Sequence, residues 1–435
     1  MRKDRINARL RAFVKEELSP TADDRSFVSL VYGSICDLLG ANNCLQIGSF
    51  PRYTAIRPLH DLDVLYILDD WTPDPDPSEA LTDVEQRIRS AYINPTGYVI
   101  TVSRQSHSVV ISFMDGEEEV FSTDIVPAYR NGINEFGDNM YVVPELVMHS
   151  HDARRKLAEE RLARGETVGW LRSDPRGYIE EARILNNANE DFRRSAKLVK
   201  HWKNMCKERG EAFPLKSFHL ELLINRFFQH NQAATIFDAI FAFFRTLPRA
   251  IERPHIPDRA DDSRYIDQYV AALTRGQKDR IAEACDHVLI SLEEIGEDSD
   301  VAEMFSGNRY RRAGASEEFL FDQGIPMLTE SEFQIIGTVL QANGGFRERL
   351  LGRLGLVEAR RKIRFTVSAD APAADVYKWK VKNDDKCDQP RGEITDHRTR
   401  NDPEETKYSG NHFVECFAIN NGVCTGRSRQ DVVLR

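Results

Sequence analysis

Two aspartates separated by one residue, with a third further along the chain, are the first side chains whose types and spacing could do chemistry. Asp61 and Asp63 lie in the apolar, β-branched run 60–68, which is typical of a buried strand. Side chains alternate between the faces of a strand, so both carboxylates share one face. Asp124 lies on the second strand of a hairpin whose turn is Asp115-Gly116. If the two strands are neighbours, the three carboxylates converge.

Convergence of three carboxylates is costly, because two unit charges about 4 Å apart repel by ~4 kcal/mol at an effective dielectric constant of ~20. Protonation or bound cations must relieve that repulsion. Mg²⁺ suits a site of carboxylates, waters and substrate phosphates, and two such ions can stabilise the attacking and leaving oxygens of phosphoryl transfer. Taken alone, Asp61 and Asp63 also fit a strand-edge residue and a paired surface charge.

A glycine-serine pair at the end of a strand makes the metal hypothesis more specific. Gly48-Ser49 follows the short strand predicted at 45–47 and precedes the strand of the two aspartates. Glycine lets the backbone approach a ligand closely, and serine offers a hydroxyl and an N–H to phosphate oxygens. Most such pairs are plain turns, but this combination of motifs indicates a site for nucleotide phosphates.

Positive charge is concentrated on the helix predicted at 190–207. Arg193, Lys197 and Lys200 share one face of that helix by their spacing. Ser217 begins another predicted helix, and the N-terminal amides of a helix favour anions. Taken alone, the basic face also fits a solvated surface, and Ser217 fits a simple N-cap.

The order of these motifs resembles that of the nucleotidyltransferase superfamily related to DNA polymerase beta. Closer still, it is similar to the cyclic GMP-AMP synthase-like enzymes of bacterial anti-phage signalling, the CD-NTase or SMODS family. Many superfamily members have glycine where this chain has Tyr53, which we expect to change the loop shape and to leave the site intact. The segments that carry the resemblance are Gly48-Ser49, Thr54-Ala55-Ile56, Arg57-Pro58 and Asp61-Leu62-Asp63.

The resemblance implies a catalytic role for the three aspartates. Asp61 and Asp63 would hold two Mg²⁺ ions, for which Mn²⁺ can substitute. Asp124 would hold the catalytic ion and help to deprotonate the acceptor hydroxyl. Gly48 and Ser49 would contact the β- and γ-phosphates of the donor, so ATP and the other nucleoside triphosphates are the expected substrates.

The resemblance also gives meaning to the basic helix. The segment 214–221 is similar to the start of the family's donor-pocket helix. By that match, Lys197 and Ser217 would bind the triphosphate of the donor nucleotide. Lys200 is a weaker candidate for the same contact.

Beyond residue 360 the hydrophobic period returns to two. Tyr377, Trp379 and Val381 face one way and three lysines face the other, which fits an edge strand kept soluble by lysines or an anion-recognising face. The resemblance here is to the adenylyl/guanylyl and SMODS C-terminal sensor domain, and it implies a ligand-sensing module with a regulatory role. The segments that carry it are 377–383, 391–394, 408–417 and 420–424.

The hydrophobic periods around these motifs predict an α+β protein. The resemblance implies a polymerase-beta-like nucleotidyltransferase core with a mixed sheet, a helical second lobe and a small β-rich C-terminal domain. We place the catalytic core at 1–170, the lobe that completes the nucleotide pocket at 171–350, and the expected sensor domain at 360–435. Within the lobe, apolar spacing predicts helices at 262–274 and 330–342, among others.

Composition narrows the possible partners. The chain has 435 residues and a formal net charge of −10, without the basic surplus of proteins that grip nucleic-acid duplexes. Seven cysteines without CxxC spacing argue against a disulfide framework or a zinc site and favour a reducing cytoplasm. There is no signal-peptide pattern, and no apolar run reaches the ~18 residues needed to span a bilayer. We therefore expect a cytoplasmic protein with no membrane and no stable long nucleic-acid partner.

The leading hypothesis is a Mg²⁺-dependent nucleotidyltransferase that makes a cyclic oligonucleotide second messenger from nucleoside triphosphates in anti-phage defence. This enzyme would act on a downstream effector protein through its product. One alternative is nucleotide transfer to tRNA or to a protein, and the acidic net charge weighs against tRNA. The other is a non-catalytic nucleotide-sensing regulator, against which the three intact aspartates weigh.

Overall fold

The chain divides into two compact units. The computed structural model describes residues 2–73, 75–145, 169–295, 299–305, 317–340, 349–353, 355–396 and 403–435. The N-terminal unit comprises Leu10–Phe243 and Arg249–Lys278, and the C-terminal unit comprises Met1–Arg9, Phe244–Pro248 and Asp279–Arg435. All the predicted site residues belong to the N-terminal unit. The division into a core at 1–170, a lobe at 171–350 and a sensor domain at 360–435 stays a prediction.

The helices and strands are numbered here in chain order. The helices are α1 Arg2–Phe13, α2 Ala22–Leu39, α3 Pro77–Ala91, α4 Pro175–Ala188, α5 Asp191–Glu208, α6 Ser217–His230, α7 Ile236–Ala250, α8 Arg275–Glu294 and α9 Val301–Met304. The first strands are β1 Cys44–Ile47, β2 Asp61–Asp70, β3 Val99–Arg104, β4 Val109–Asp115, β5 Glu118–Ile133, β6 Asn139–Pro144, β7 Trp170–Ser173, β8 Pro257–Asp258 and β9 Asp261–Tyr265. The remaining strands are β10 Met327–Glu332, β11 Ile335–Val339, β12 Arg349–Leu350, β13 Lys362–Val367, β14 Val376–Lys382, β15 Ile394–Thr395, β16 Glu404–Glu405, β17 Gly410–Asn420 and β18 Val423–Leu434.

A seven-stranded sheet forms the centre of the N-terminal unit. Its strands run in the order β1-β2-β5-β4-β3, and β6 joins β5 to β7. Strands β2 and β5 are parallel, while the other pairs are antiparallel. The mixed sheet predicted for the core is therefore confirmed.

Strand β2 is fixed in the sheet because its side chains point alternately into two apolar layers. Leu62 and Val64 pack with α2 and α3 on one face of the sheet. Leu65 and Ile67 pack with Ala128 on the other. Burying each of these side chains contributes roughly 1.5–3 kcal/mol, which anchors the carboxylates at the start of the strand.

Two of the predicted helices are wrong. Residues 262–274 form β9 and a short 3₁₀ segment, because the buried Asp267 carboxylate accepts the backbone N–H groups of His255 and Ile256 and closes a turn. The described part of 330–342, which ends at residue 340, forms strands β10 and β11. Ile335 is buried and Ile336 exposed, so β-branched residues of period two decided the structure there.

The C-terminal unit contains two sheets, as the β-rich prediction required. One has the order β10-β18-β17-β14-β15 and the other β12-β11-β13-β16. Phe365 from the second sheet packs in one buried cluster with Trp379, Val414 and Val432 from the first. No helix in the described ranges is long and apolar enough to cross a membrane.

Candidate active site

The parallel pairing of β2 with β5 places the three aspartates side by side. Asp63 lies directly opposite Asp124, and Asp61 lies opposite Ser122. Paired residues on neighbouring strands, about 4.8 Å apart, share a face of the sheet, and so do residues two apart on one strand. All three carboxylates therefore lie on the same side of the sheet.

Gly48 is the backbone position that lets the first loop approach these carboxylates. Its φ is +76°, in the left-handed region that favours glycine. A Cβ atom built at Gly48 would lie 1.8 Å from Oδ2 of Asp63. The loop after β1 therefore closes over Asp63 only because this residue has no side chain.

We expect Gly48→Ala to remove most nucleotide binding and activity. The added methyl group would push the Asp63 carboxylate or the loop out of place, and the positive φ adds strain. The matched control is Gly33→Ala inside α2, where nothing lies within 4 Å of the new Cβ and where alanine stabilises a helix by up to ~1 kcal/mol. Nucleotide affinity by calorimetry and thermal unfolding of both variants test this. Wild-type affinity in Gly48→Ala would contradict it.

The carboxylates are destabilised in their charged forms. Burial and, after it, the charges of Asp61 and Asp124 raise the pKa of Asp63 to about 7. Burial also raises the pKa of Asp124, although the hydroxyl of Ser108 donates a 2.8 Å hydrogen bond to its Oδ1. A cationic ligand would offset both the repulsion and the loss of hydration.

The donor set fits a divalent cation that prefers oxygen ligands, such as Mg²⁺. Among the residues that the structure describes, no group of three or more His, Cys, Asp or Glu side chains is already arranged to hold a metal ion. The aspartates thus share a face without forming a closed cage of protein ligands. Mg²⁺ usually takes one or two carboxylates together with waters and substrate phosphates, which agrees with such an open arrangement.

A cavity of about 510 Å³ opens in front of Asp61 and Asp63. Aromatic side chains form part of its wall, where Tyr178 and Phe218 meet edge to face with their ring centres 4.9 Å apart. Asp124 and Lys197 are not among the residues that line it. The predicted site residues that do are Gly48, Ser49, Asp61, Asp63, Lys200 and Ser217.

The ammonium group of Lys200 is bonded to other residues inside the protein. Its Nζ donates to both oxygens of Thr54, at 3.1 and 3.0 Å, and lies 2.5 Å from Oε2 of Glu221. Glu221 also accepts from Nε of Arg52 at 2.6 Å, and all four residues are buried. The three hydrogens of the Lys200 ammonium thus have partners in this network, which fastens the loop after Gly48 to α5 and α6.

Lys197 lies at a different cavity of the N-terminal unit, together with Arg193 and Tyr53. Its Nζ donates to Oγ of Ser19 at 2.8 Å. Burial and, after it, the charges of Lys200 and Arg193 lower its pKa to about 8. The structure does not bring Lys197 to the aspartates, so its contact with the triphosphate stays a prediction.

Lys203 is the residue that the sequence analysis missed. Its Nζ donates to Oγ of Ser217 at 3.0 Å, and Ser217 is the first residue of α6. Burial, with the charges of Lys207 and Lys200, lowers the pKa of Lys203, whereas the charge of Asp61 raises it. Lys203 is three residues after Lys200 on the same helix, so the i, i+3 spacing could have indicated it.

Comparison with known proteins gives a family-model match and a curated relative. Residues 314–435 match the family model of the Adenylyl/Guanylyl and SMODS C-terminal sensor domain. A curated relative, the cyclic AMP-AMP-AMP synthase of Escherichia coli (strain MS 115-1), is 25% identical over 201 residues, which are 46% of this chain and 54% of that protein. The matched region thus spans about half the length of that relative.

Solved structures with a similar chain include "E. coli MS115-1 CdnC + ATP", with a TM-score of 0.48 and 18% identity over 70% of this chain and 98% of that one. Another is the Vibrio cholerae DncV cyclic AMP-GMP synthase in complex with a linear intermediate, with a TM-score of 0.41 and 14% identity over 62% and 69% of the two chains.

The mixed sheet, with its aspartates on paired parallel strands beneath a glycine-serine loop, agrees with the polymerase-beta-like core that the resemblance implies. The family-model match at residues 314–435 agrees with the predicted C-terminal sensor domain. Together with the curated relative, it supports the predicted resemblance to the CD-NTase, or SMODS, family.

Proposed function

We propose that this protein is a Mg²⁺-dependent nucleotidyltransferase that joins nucleoside triphosphates into a cyclic oligonucleotide. The observation that carries the proposal is the pairing of Asp63 with Asp124, with Asp61 two residues away on the same face. Burial and the charges of Asp61 and Asp124 raise the pKa of Asp63 more than the charges of Arg52 and Lys200 lower it, so the carboxylates still favour a bound cation. The curated relative, named as a cyclic trinucleotide synthase, supports the same class of product.

The aspartates are proposed to hold the two ions, with Mn²⁺ as a substitute. The ions would neutralise the triphosphate and stabilise the attacking and leaving oxygens. Because Oδ1 of Asp124 is occupied by Ser108, its Oδ2 is the atom proposed to receive the proton of the acceptor hydroxyl. That hydroxyl oxygen forms a bond to the α-phosphorus, pyrophosphate leaves, and a later round closes the ring.

Ser49, Ser217 and Lys203 are proposed to bind the phosphates of the donor. Lys203 donates its hydrogen to the oxygen of Ser217, so the hydroxyl hydrogen of Ser217 can donate to a phosphate oxygen. Ser49 lines the same cavity. The rings of Tyr178 and Phe218 on the wall of that cavity offer an apolar surface to a nucleobase.

Lys203→Ala is expected to raise the KM for the triphosphate about tenfold or more, with a smaller effect on kcat, because a hydrogen bond to a charged group contributes ~1.5–3 kcal/mol. Lys207→Ala, one turn later at an exposed position, is the control and should leave KM unchanged. Steady-state kinetics of both variants test this. Equal KM values for Lys203→Ala and the wild type would remove Lys203 from the site.

The proposed reaction is tested by incubating the full chain with the four nucleoside triphosphates and Mg²⁺ and analysing the products by mass spectrometry. A phosphatase-resistant small product that Asp61→Ala loses supports the proposal. Asp69→Ala, at the exposed end of the same strand, should retain it. Label transferred to added tRNA or protein would support the first alternative, and absence of turnover would support a non-catalytic regulator.

We further propose that the product serves anti-phage defence in the cytoplasm by activating a separate effector protein. The support is the family resemblance together with the sensor-domain match at residues 314–435. Phage plating on bacteria that carry the protein with its neighbouring genes is the test. Protection that disappears in Asp61→Ala agrees with the role, and equal plaque counts with and without the protein contradict it.

A further inference from the structure

A cavity lies between the two sheets of the C-terminal unit. Its volume is about 370 Å³, within the range of about 300–1,000 Å³ that is usual for small-molecule sites. Strands β13 and β16 contribute from one sheet and β14, β17 and β18 from the other, and the segment 383–393 covers one side.

The floor of this cavity is a formed apolar surface. Ile363, Phe365, Val414, Val432 and Leu434 line it, and all five are buried members of the core cluster that joins the two sheets. The cavity therefore ends on the core of the domain and is more than a shallow groove. Such a floor favours a flat or apolar group, because its burial removes further apolar surface from water.

One buried polar atom in the wall has no hydrogen-bond partner among the described residues. His412 lines the cavity, is only 8% exposed, and lies two residues before Val414 on the core-facing side of β17. Its Nδ1 accepts the backbone N–H of Asp384 at 3.2 Å, so in the neutral ring the proton lies on Nε2. Within the described residues Nε2 has no hydrogen-bond partner, and an unmet buried donor favours a ligand with an acceptor atom.

The charges around the cavity disfavour an anion. Three carboxylates, those of Glu393, Glu404 and Glu405, line it against the cations Arg391 and Lys407. Arg391 is itself engaged, since its guanidinium donates to Glu404 at 2.7 Å. A bound phosphate would meet more negative than positive charge, whereas an uncharged ring would not.

We propose that this cavity is a binding site for an uncharged heteroaromatic ring of nucleobase size, with an acceptor atom facing Nε2 of His412. The apolar floor packs against the ring, the aromatic side chains of Tyr408 and Phe413 line the same cavity, and Nε2 sets the orientation. This site lies in the sensor domain and does not depend on the catalytic function proposed above.

Calorimetric titration of the full chain with adenosine, guanosine, cytidine and uridine tests the proposal. We expect at least one nucleoside to bind saturably. His412→Phe, which keeps a ring and removes the donor, should weaken that binding about tenfold or more. The control Asn411→Ala, at the exposed neighbouring position of β17, should bind as the wild type does.

A second readout keeps the test independent of variant folding. In the wild type, the side-chain ¹⁵N signals of His412 should show the proton on Nε2 and should shift on saturation with the nucleoside. Tyr408→Ala, at the half-buried rim, should also weaken binding. The proposal is overturned if no nucleoside binds, if binding is unchanged in a folded His412→Phe, or if inorganic phosphate displaces the nucleoside.

Discussion

Asp63→Asn is expected to lower the rate of product formation about 10³-fold or more. Asparagine keeps the shape of the side chain and removes the charge that would hold the metal ions. Metal ions contribute several kcal/mol of charge stabilisation in phosphoryl transfer, and each 1.36 kcal/mol corresponds to a tenfold change in rate. The loss should appear in kcat and not only in KM, because the charge acts on the reacting phosphate.

The same variant should be more stable than the wild type when metal is absent. The pKa of Asp63 is raised from 3.8 to about 7 in the folded protein, so the folded state resists ionisation. The wild type therefore loses stability as pH rises from about 4 to 7 and carries the full penalty above pH 7, on the order of 4 kcal/mol. Asparagine does not ionise and avoids that penalty.

Thermal unfolding in a chelator at several pH values, alongside the kinetics, measures both effects. Asp69→Asn, at the exposed end of β2, is the control and should change neither quantity. A gain of stability combined with loss of activity is the signature of a group kept for function at the expense of stability. An Asp63→Asn variant that retains activity, or that loses stability in the chelator at pH 8, would refute this account.

Glu221→Gln is expected to destabilise the N-terminal unit by roughly 3 kcal/mol or more, because removing one partner of a buried ion pair leaves an uncompensated charge. In the buried network, the Glu221 carboxylate forms ion pairs with both Arg52 and Lys200. Loss of the charged carboxylate also weakens the hydrogen bond that the hydroxyl of Thr54 donates to it. The cavity in front of the aspartates should then lose its shape, and the proposed activity should fall.

The pH dependence of this effect has a definite sign. Arg52 and Lys200 lower the pKa of Glu221 from 4.5 to about 2 against the effect of burial. The ionised carboxylate therefore stabilises the fold above pH 4.5, and that contribution is lost as pH falls towards 2. The difference in stability between the wild type and Glu221→Gln should shrink over the same range.

Denaturant unfolding followed by tryptophan fluorescence reports mainly on this unit, because three of the four tryptophans, Trp71, Trp170 and Trp202, lie in it. Glu208→Gln, at the exposed end of α5, is the matched control. Similar stabilities for Glu221→Gln and the control at pH 7 would show that the network contributes little.

Much of the sheet could be predicted because its strands have local sequence patterns. The apolar run of β2 and the Asp115-Gly116 turn before β5 are such patterns, and a strand formed at each place. The ends were predicted less well, because β2 continues to Asp70 and β5 to Ile133, through Pro127, where a strand was expected to end. The helices predicted at 262–274 and 330–342 did not form, because contacts with distant parts of the chain outweighed the helical spacing of their apolar residues. At Asp267 the deciding contacts come from backbone groups eleven and twelve residues away.

The basic residues of α5 show the same limit at the level of the site. Spacing puts Lys197 and Lys200 on one face, but a helix face is wider than a binding site. Contacts with three separate parts of the chain decide the partner of each lysine. Lys200 donates to Thr54 in the loop after Gly48. Lys197 donates to Ser19, before α2, and Lys203 to Ser217, at the start of α6.

The amino-acid sequence by itself determined the types of the proposed catalytic groups and the common strand face of Asp61 and Asp63, because these depend on local backbone periodicity and on side-chain chemistry. Only the tertiary structure decided that residue 124 stands opposite residue 63, and which cations are neutralised inside the protein. Both depend on strand register and on contacts between elements distant in the chain. No local pattern encodes the register of two parallel strands that are separated by residues 71–117.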